Sequence, residues 1–242
     1  MSEAMLSVEN LSAWYGAARI LYDLSFEVGR GEVVALMGRN GAGKSTTMKT
    51  IMGLIGERSG TVRFNNEDIS RLRPYEIARR GLGFTPEDRR VFSDLTVMEN
   101  LDVGRQPPRC FAGGQAAPAW TPERLFALFP NLAEMPDRLG GRMSGGEQQM
   151  LTVARTLMGN PLLVLLDEPS EGVAPLIVEQ MANTIVELKN EGLSILLSEQ
   201  NVNFARMVSD KAYVLEKGQI RWEGTMDGLM NNQQVQRAYL TV

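Results

Sequence analysis

"EVVALMGRNGAGKST", residues 32–46, sets a short apolar run against a glycine-rich turn that ends in lysine, serine and threonine. The run is nearly continuous and bounded by Glu32 and Gly38, which reads as a strand buried on both faces of a parallel sheet. The turn matches G-x-x-x-x-G-K-[ST] and sits where that pattern has a mechanism, after a strand and before a helix starting near Lys44. Gly38, Gly41 and Gly43 let backbone N–H groups turn inward around a phosphate, with Arg39, Asn40 and Ala42 completing the loop. The positive end of the following helix faces the same point. Lys44 is placed to bridge the β- and γ-phosphates of ATP, Ser45 to ligate Mg²⁺, and Thr46 to donate to a phosphate oxygen.

Further along, "LLVLLDEP" (162–169) reads as a second buried strand, ending in two carboxylates. Asp167 stands where a carboxylate holds Mg²⁺ through its water shell. Glu168, one residue beyond, stands where a general base polarises an attacking water. "LSILLSE" (193–199) is a third run of the same kind, and helical patterns occupy 44–55, 145–158, 175–189 and 201–208. Strand followed by helix, repeatedly, argues an α/β architecture with right-handed crossovers. The first 30 residues and "GTVRFNN" (60–66) alternate instead, as antiparallel strands do. Residues 87–142 are short amphipathic pieces, within which "RQPPRCFAGGQAAPAW" (105–120) reads as a mobile surface loop. "TMDGLMNNQQVQRAYLTV" (225–242) reads as one capped helix with a tail.

Composition narrows the function. The 242 residues are 43% apolar and 22% charged, enough for a sizeable core. With 25 basic against 29 acidic residues the net charge is −4, without the basic footprint of a nucleic-acid binder, so no nucleic-acid partner is expected. The absence of histidine removes His-ligated metal sites and the commonest general base. One cysteine, Cys110, forms no internal disulfide and suits a reducing cytoplasm. "MSEAMLSVEN" lacks the basic start and apolar run of a signal peptide. No window approaches the roughly 20 apolar residues of a membrane span, so any membrane work requires another chain to hold this one.

"MSGGEQQMLTVAR" (143–155) raises a separate question. Ser144 and Glu147 have the S-x-x-E spacing of a helix capping box. A capping box does not require Gly145 and Gly146, which cost about 1 kcal/mol each in a helix relative to alanine. Their benefit lies in letting something approach the backbone closely.

Extended to 169, the stretch "MSGGEQQMLTVARTLMGNPLLVLLDEP", about a hundred residues after the phosphate loop, resembles the signature motif and following strand of ATP-binding-cassette (ABC) ATPases. Their usual "LSGGQ" reads "MSGGE" here, and the resemblance covers essentially the whole chain. It implies an α/β fold: a P-loop NTPase-type parallel sheet core with an antiparallel β subdomain and a helical subdomain. All of 1–242 would be one nucleotide-binding domain, with 1–86 and 158–242 as the ATP-binding core and 87–157 as the helical, signature-bearing part. In that family two cassettes close head to tail, so Ser144, Gly145, Gly146 and Glu147 would grip the γ-phosphate held by a partner, giving an isologous dimer around two ATP molecules.

Other positions follow from the same resemblance. Tyr15, in "AWYGAARIL", matches the aromatic that stacks on adenine. "GFTPEDRRVFSDLTVMENL" (83–101) matches the loop that meets Mg²⁺ and the membrane partner, with Glu87 in place of the usual glutamine. Gln200 takes the place of the switch histidine; its amide can donate to a γ-phosphate but carries no proton. Ala174 replaces the usual aspartate after the base.

"PEDRRVF", "EPSEGVAP" and "SEQNVNFA" are similar to the "PEGRRVF", "EPSLGLAP" and "VEQN" of the shorter ATPase of branched-chain amino-acid importers. That subgroup implies Mg-ATP hydrolysis driving uptake of branched-chain amino acids or a related small polar solute; similar cassettes serve urea, amide and aromatic-acid importers. The implied partners are a second cassette, identical or different, two transmembrane permease subunits and, indirectly, a periplasmic solute-binding protein. The implied location is the cytoplasmic face of a bacterial inner membrane. Cassettes acting on DNA or the ribosome carry coiled coils, zinc fingers or a second cassette, none of which is present. A regulatory module without turnover is the other alternative, and Glu168 argues against it.

Overall fold

The computed structural model describes residues 4–240. Strands β1 (Ala4–Tyr15) and β2 (Ala18–Gly29) form a hairpin, and β3 (Val33–Met37) leads through the glycine loop into α1 (Lys44–Ile51). Next come β4 (Glu57–Phe64), β5 (Glu67–Asp68), α2 (Pro74–Arg79) and β6 (Leu82–Thr85). A helical stretch follows: α3 (Val97–Gly104), α4 (Pro122–Leu128), α5 (Pro130–Ala133) and α6 (Gly145–Leu157). The chain then runs through β7 (Leu163–Asp167), α7 (Pro175–Asn190), β8 (Ser194–Glu199) and α8 (Val202–Val208). It ends with β9 (Lys211–Glu216), β10 (Gln219–Thr225), α9 (Met226–Asn231) and α10 (Gln233–Tyr239).

Two sheets result. β2-β1-β4-β5 is antiparallel throughout, whereas β10-β9-β3-β8-β7-β6 is parallel except for the β9–β10 pair. The continuous apolar runs are explained by what covers the second sheet. Val33, Ala35 and Met37 of β3 point into a core built with α3 to α8, while Val34 and Leu36 point into a core shared with β1, β2, β4 and α1. β7 and β8 alternate in the same way, so Leu163–Leu166 and Ile195–Leu197 are apolar at every position.

The structure departs from the sequence reading in three places. α1 stops at Ile51 rather than 55, because Gly53 turns the chain at φ +72°. The C-terminal segment is two helices rather than one, broken at Asn232, whose side chain accepts from the amide of Val235 at 3.1 Å and caps the second. The third departure is the stretch 105–120, which is pinned rather than a mobile surface loop. Phe111 and Trp120 are buried, and the Arg30 guanidinium lies 3.6 Å over the Phe111 ring. Asn160 grips both ends: its Oδ1 accepts from the Trp120 amide at 2.6 Å and its Nδ2 donates to the Gln106 carbonyl at 2.7 Å. Proline, glycine and alanine content marks irregular backbone, but two anchoring aromatics decide whether that backbone is held.

Replacing Asn160 by alanine leaves the buried Trp120 amide without an acceptor, which costs about 1–3 kcal/mol. Thermal unfolding should fall by several degrees, and limited proteolysis should begin between 105 and 120. An Asn160→Ala protein as stable and as protease-resistant as its parent removes the pinning role.

Candidate functional site

β3, β7 and β8 run parallel and end together: Met37 pairs with Glu199 and Asp167 with Ser198. The glycine loop, the two carboxylates after β7 and the residues after β8 therefore emerge on one edge, at the carboxyl ends of the strands, where open α/β sheets receive ligands. Gly43 caps α1 from a left-handed backbone at φ +110°, and no side chain covers the helix start. The N–H groups at that end are left for an anion.

One carboxylate organises this edge. Asp167 Oδ1 accepts from Ser45 Oγ at 2.9 Å and from Ser198 Oγ at 2.6 Å. Burial pushes the Asp167 carboxyl above the usual carboxylate range, and the two hydroxyl donors oppose the shift. Its other oxygen, Oδ2, is buried without a partner. An orphaned carboxylate oxygen beside a serine hydroxyl is a hard oxygen donor set that fits Mg²⁺. Among the described residues no group of three or more His, Cys, Asp or Glu forms a metal cage. That suits a cation that keeps its waters and takes phosphate oxygens rather than an all-protein site.

Beside it lies an ion pair. Lys44 Nζ sits 2.9 Å from Glu168 Oε1, with the two side chains 3% and 5% exposed. The same ammonium donates to the carbonyls of Gly38 at 2.8 Å and Arg39 at 3.3 Å. Glu168 stands in left-handed backbone, φ +49°, and its amide donates to Ser198 Oγ at 3.1 Å. Its Oε2 is buried with no fixed donor. The neighbour able to supply one is Glu171, whose carboxyl is pushed up to about 7 by its hydrogen bond with Glu168, then by burial and by the charges of Glu168 and Glu87. Glu199 is buried too; burial raises it, while the Ser170 and Asn201 amides, each donating at 3.1 Å, act the other way.

The remaining candidates lie around this centre. Arg39, Asn40 and Gly41 are exposed on the loop, Ala42 is buried, and Thr46 lies in the first turn of α1. Tyr15 is half-exposed at the tip of the β1–β2 hairpin. Glu87 and Gln200 are exposed just beyond β6 and β8, and Ala174 caps α7. Ser144 forms the capping box: its amide donates to Glu147 Oε2 at 2.7 Å and its Oγ accepts from the Glu147 amide. Both of these bonds stay within the turn, away from the Lys44–Asp167 cluster.

The glycines beside that serine have a reason within the chain itself. A Cβ on Gly145 would stand 2.7 Å from Arg89 Nη1, and one on Gly146 would stand 2.7 Å from Ile177 Cγ1. Sequence reasoning missed Arg89, Ile177, Ser198, Glu199 and Glu171. The one available signal was Ser198 and Glu199 ending the apolar stretch Ile195–Leu197.

A second surface adjoins. A cleft of about 730 Å³ runs past Leu54, Tyr75, Phe84, Arg90, Phe92 and Val103. Four of these, Leu54, Tyr75, Phe92 and Val103, are large apolar side chains left exposed, the kind of patch that marks an interaction site.

The family model described as ABC transporter matches residues 21–171. The chain is 44% identical to the high-affinity branched-chain amino acid transport ATP-binding protein BraG of Pseudomonas aeruginosa, over 98% of this chain and 99% of that one. It is 36% identical to the lipopolysaccharide export system ATP-binding protein LptB of Haemophilus influenzae, over 98% and 97%. Among solved structures, the ADP conformation of an ATP-binding cassette of an ABC transporter superposes with a TM-score of 0.79 at 28% identity, covering 98% of each chain.

Truncating Lys44 to alanine strands a buried carboxylate, a change that costs about 3–5 kcal/mol. Without nucleotide, Lys44→Ala should unfold at clearly lower temperature, and adding Glu168→Gln should restore most of the loss. An unshifted Lys44→Ala transition would mean that the pair is not formed. The raised Glu171 carboxyl gives a signed pH effect: the folded chain holds a proton there up to about 7, against 4.5 for the free side chain. Its contribution is complete below pH 4.5 and is lost as pH rises through about 7. Glu171→Gln should flatten that part of the stability–pH curve; an unchanged slope would show that the group is not perturbed.

Proposed function

This chain belongs to the ABC transporter family of ATPases, and from that premise we propose that it is the ATP-binding subunit of an importer taking up branched-chain amino acids or a related small polar solute. The observation that carries the ATP site is the convergence of Lys44, Ser45, Asp167 and Glu168 on one sheet edge. The likeness to BraG carries the solute class.

The chemistry follows from the resting contacts. Backbone N–H groups of residues 38–46 receive the phosphates, and Tyr15 offers its exposed ring to the adenine. Ser45 and Asp167 would hold Mg²⁺, with Glu87 at the rim, and the ion would offset the negative charge of the phosphates. An arriving phosphate competes with Glu168 for the Lys44 ammonium. Released from that pair, the Glu168 carboxylate is free to take the proton of the attacking water, and the Gln200 amide donates to the γ-phosphate. Ser144, Gly145, Gly146 and Glu147 of one cassette complete the nucleotide site of another, a second copy in isolation or a related chain in the transporter. The exposed cleft beside Tyr75 and Phe92 receives a short helix of a permease subunit. Residues 87–157 move as the helical part between that cleft and the ATP.

Among the described residues no helix is long and apolar enough to cross a membrane. In this reading two permease subunits hold the chain at the cytoplasmic face of the inner membrane, and a periplasmic binding protein delivers a solute that never touches it. The likeness to LptB supports a second reading, an export cassette.

Glu168→Gln should lower ATP turnover by about 10²–10⁴-fold and leave ATP bound in a dimer seen by light scattering. Turnover within threefold of the parent would remove Glu168 as the base. In proteoliposomes with its permease subunits, ATPase activity should rise with a leucine-, isoleucine- or valine-loaded binding protein. Stimulation by lipopolysaccharide instead would establish the export reading.

A further inference from the structure

Arg89 lies in the loop between β6 and α3, and nothing proposed so far uses its side chain. Its backbone stands at φ +60° and that of Arg90 at φ +52°. Two successive left-handed residues with long side chains persist only where their surroundings hold them. Here the holding groups come from α6: Thr152 Oγ1 donates to the Arg89 carbonyl at 2.9 Å, and Arg155 Nη2 reaches the same oxygen at 3.5 Å.

The strained turn separates two neighbouring side chains. Arg90, with Phe92, lines the exposed cleft. Arg89 lies outside that cleft, on a neighbouring pocket with Gln148 that Arg90 also borders. Its Nη1 occupies the space a Cβ on Gly145 would need, and its Nη2 donates to the Gly172 carbonyl, in the loop after Glu168, at 3.5 Å. One guanidinium thus touches both the residue after Ser144 and the loop that follows the candidate base.

Helix stability does not explain this placement. A cation at a helix N-terminus opposes the helix dipole. Among the described residues Arg89 forms no ion pair, so no carboxylate fixes its position. What remains is geometry: a planar guanidinium long enough to pack against Gly145 with one nitrogen while the other donates to Gly172 on a different element.

We propose that Arg89 is a positioning residue of the ATPase cycle, holding Ser144 in register with the 169–174 loop and relaying to both the position of the cleft residues Arg90 and Phe92. The inference rests on the reading that Ser144–Glu147 complete a partner's nucleotide site. Both edges must then meet the partner together, and a bridge between them sets their spacing before closure.

The test uses the Glu168→Gln protein as parent and adds Arg89→Ala or Arg89→Lys. Light scattering with Mg-ATP reads dimerisation, ATP titration of the monomer reads nucleotide affinity, and thermal unfolding reads stability. Both substitutions should raise the dimer dissociation constant about tenfold, with monomer ATP affinity and melting temperature unchanged. In the otherwise unmodified chain, kcat should fall while KM for ATP holds.

A parent that binds ATP but pairs neither with itself nor with the co-expressed second cassette refutes the trans reading and takes this inference with it. A parent that pairs equally well with and without Arg89 overturns the Arg89 role alone. Full function in Arg89→Lys overturns the two-point bridge, because charge without the fork would then suffice. A parallel loss of ATP affinity or stability in both variants overturns it as well, by making Arg89 a general support of the fold.

Discussion

A single oxygen, Asp167 Oδ1, is the meeting point of α1, β7 and β8. Two hydroxyls from different elements converge on it, and one of them, Ser198, also receives the amide of Glu168. The arrangement is available because three parallel strands stop at the same level, so short side chains reach across the gap. In a site this buried each bond strengthens its neighbours, and a missing partner costs more than it would in water. The placement of the lysine, the turn carrying Glu168 and the first turn of α1 all depend on that oxygen keeping both donors.

The electrostatics of the edge follow. Asp167, Glu168 and Glu199 are buried there against one buried cation, Lys44. An edge this rich in carboxylates resists a polyphosphate unless a cation accompanies it, which agrees with the proposed use of Ser45 and Asp167. It also makes Lys44 a shared resource. That lysine neutralises Glu168, and a phosphate can claim it only by leaving Glu168 unpaired. In the proposed cycle, phosphate binding and the release of Glu168 from its pair become one event.

Much of this was legible in the chain as written. The centres of the runs 32–38, 162–168 and 193–199, Val33–Met37, Leu162–Leu166 and Ile195–Leu197, are continuously apolar because cores lie on both sides of the sheet, and such strands cannot hide. The phosphate loop and the Ser144–Glu147 cap are local patterns whose partners lie within a few residues. What escaped depends on distance. β9 and β10 pair beside β3 from about 180 residues away, and nothing in "KAYVLE" alone says so. The 105–120 segment is held by Asn160, which a composition window centred on proline and glycine does not include. Ser198 and Arg89 act through contacts 31 and 83 residues away along the chain.

The two glycines after Ser144 carry a consequence for descent. A Cβ on Gly146 would run into the branched Ile177 side chain, whereas one on Gly145 would meet only the far end of the long Arg89 side chain, which can swing aside. Position 146 is therefore not free to drift by itself. A lineage that shortens residue 177 opens room for alanine at 146, whereas alanine arriving first meets a clash. The order in which such substitutions accumulate is constrained, and positions 146 and 177 should change together among related chains even though 31 residues separate them.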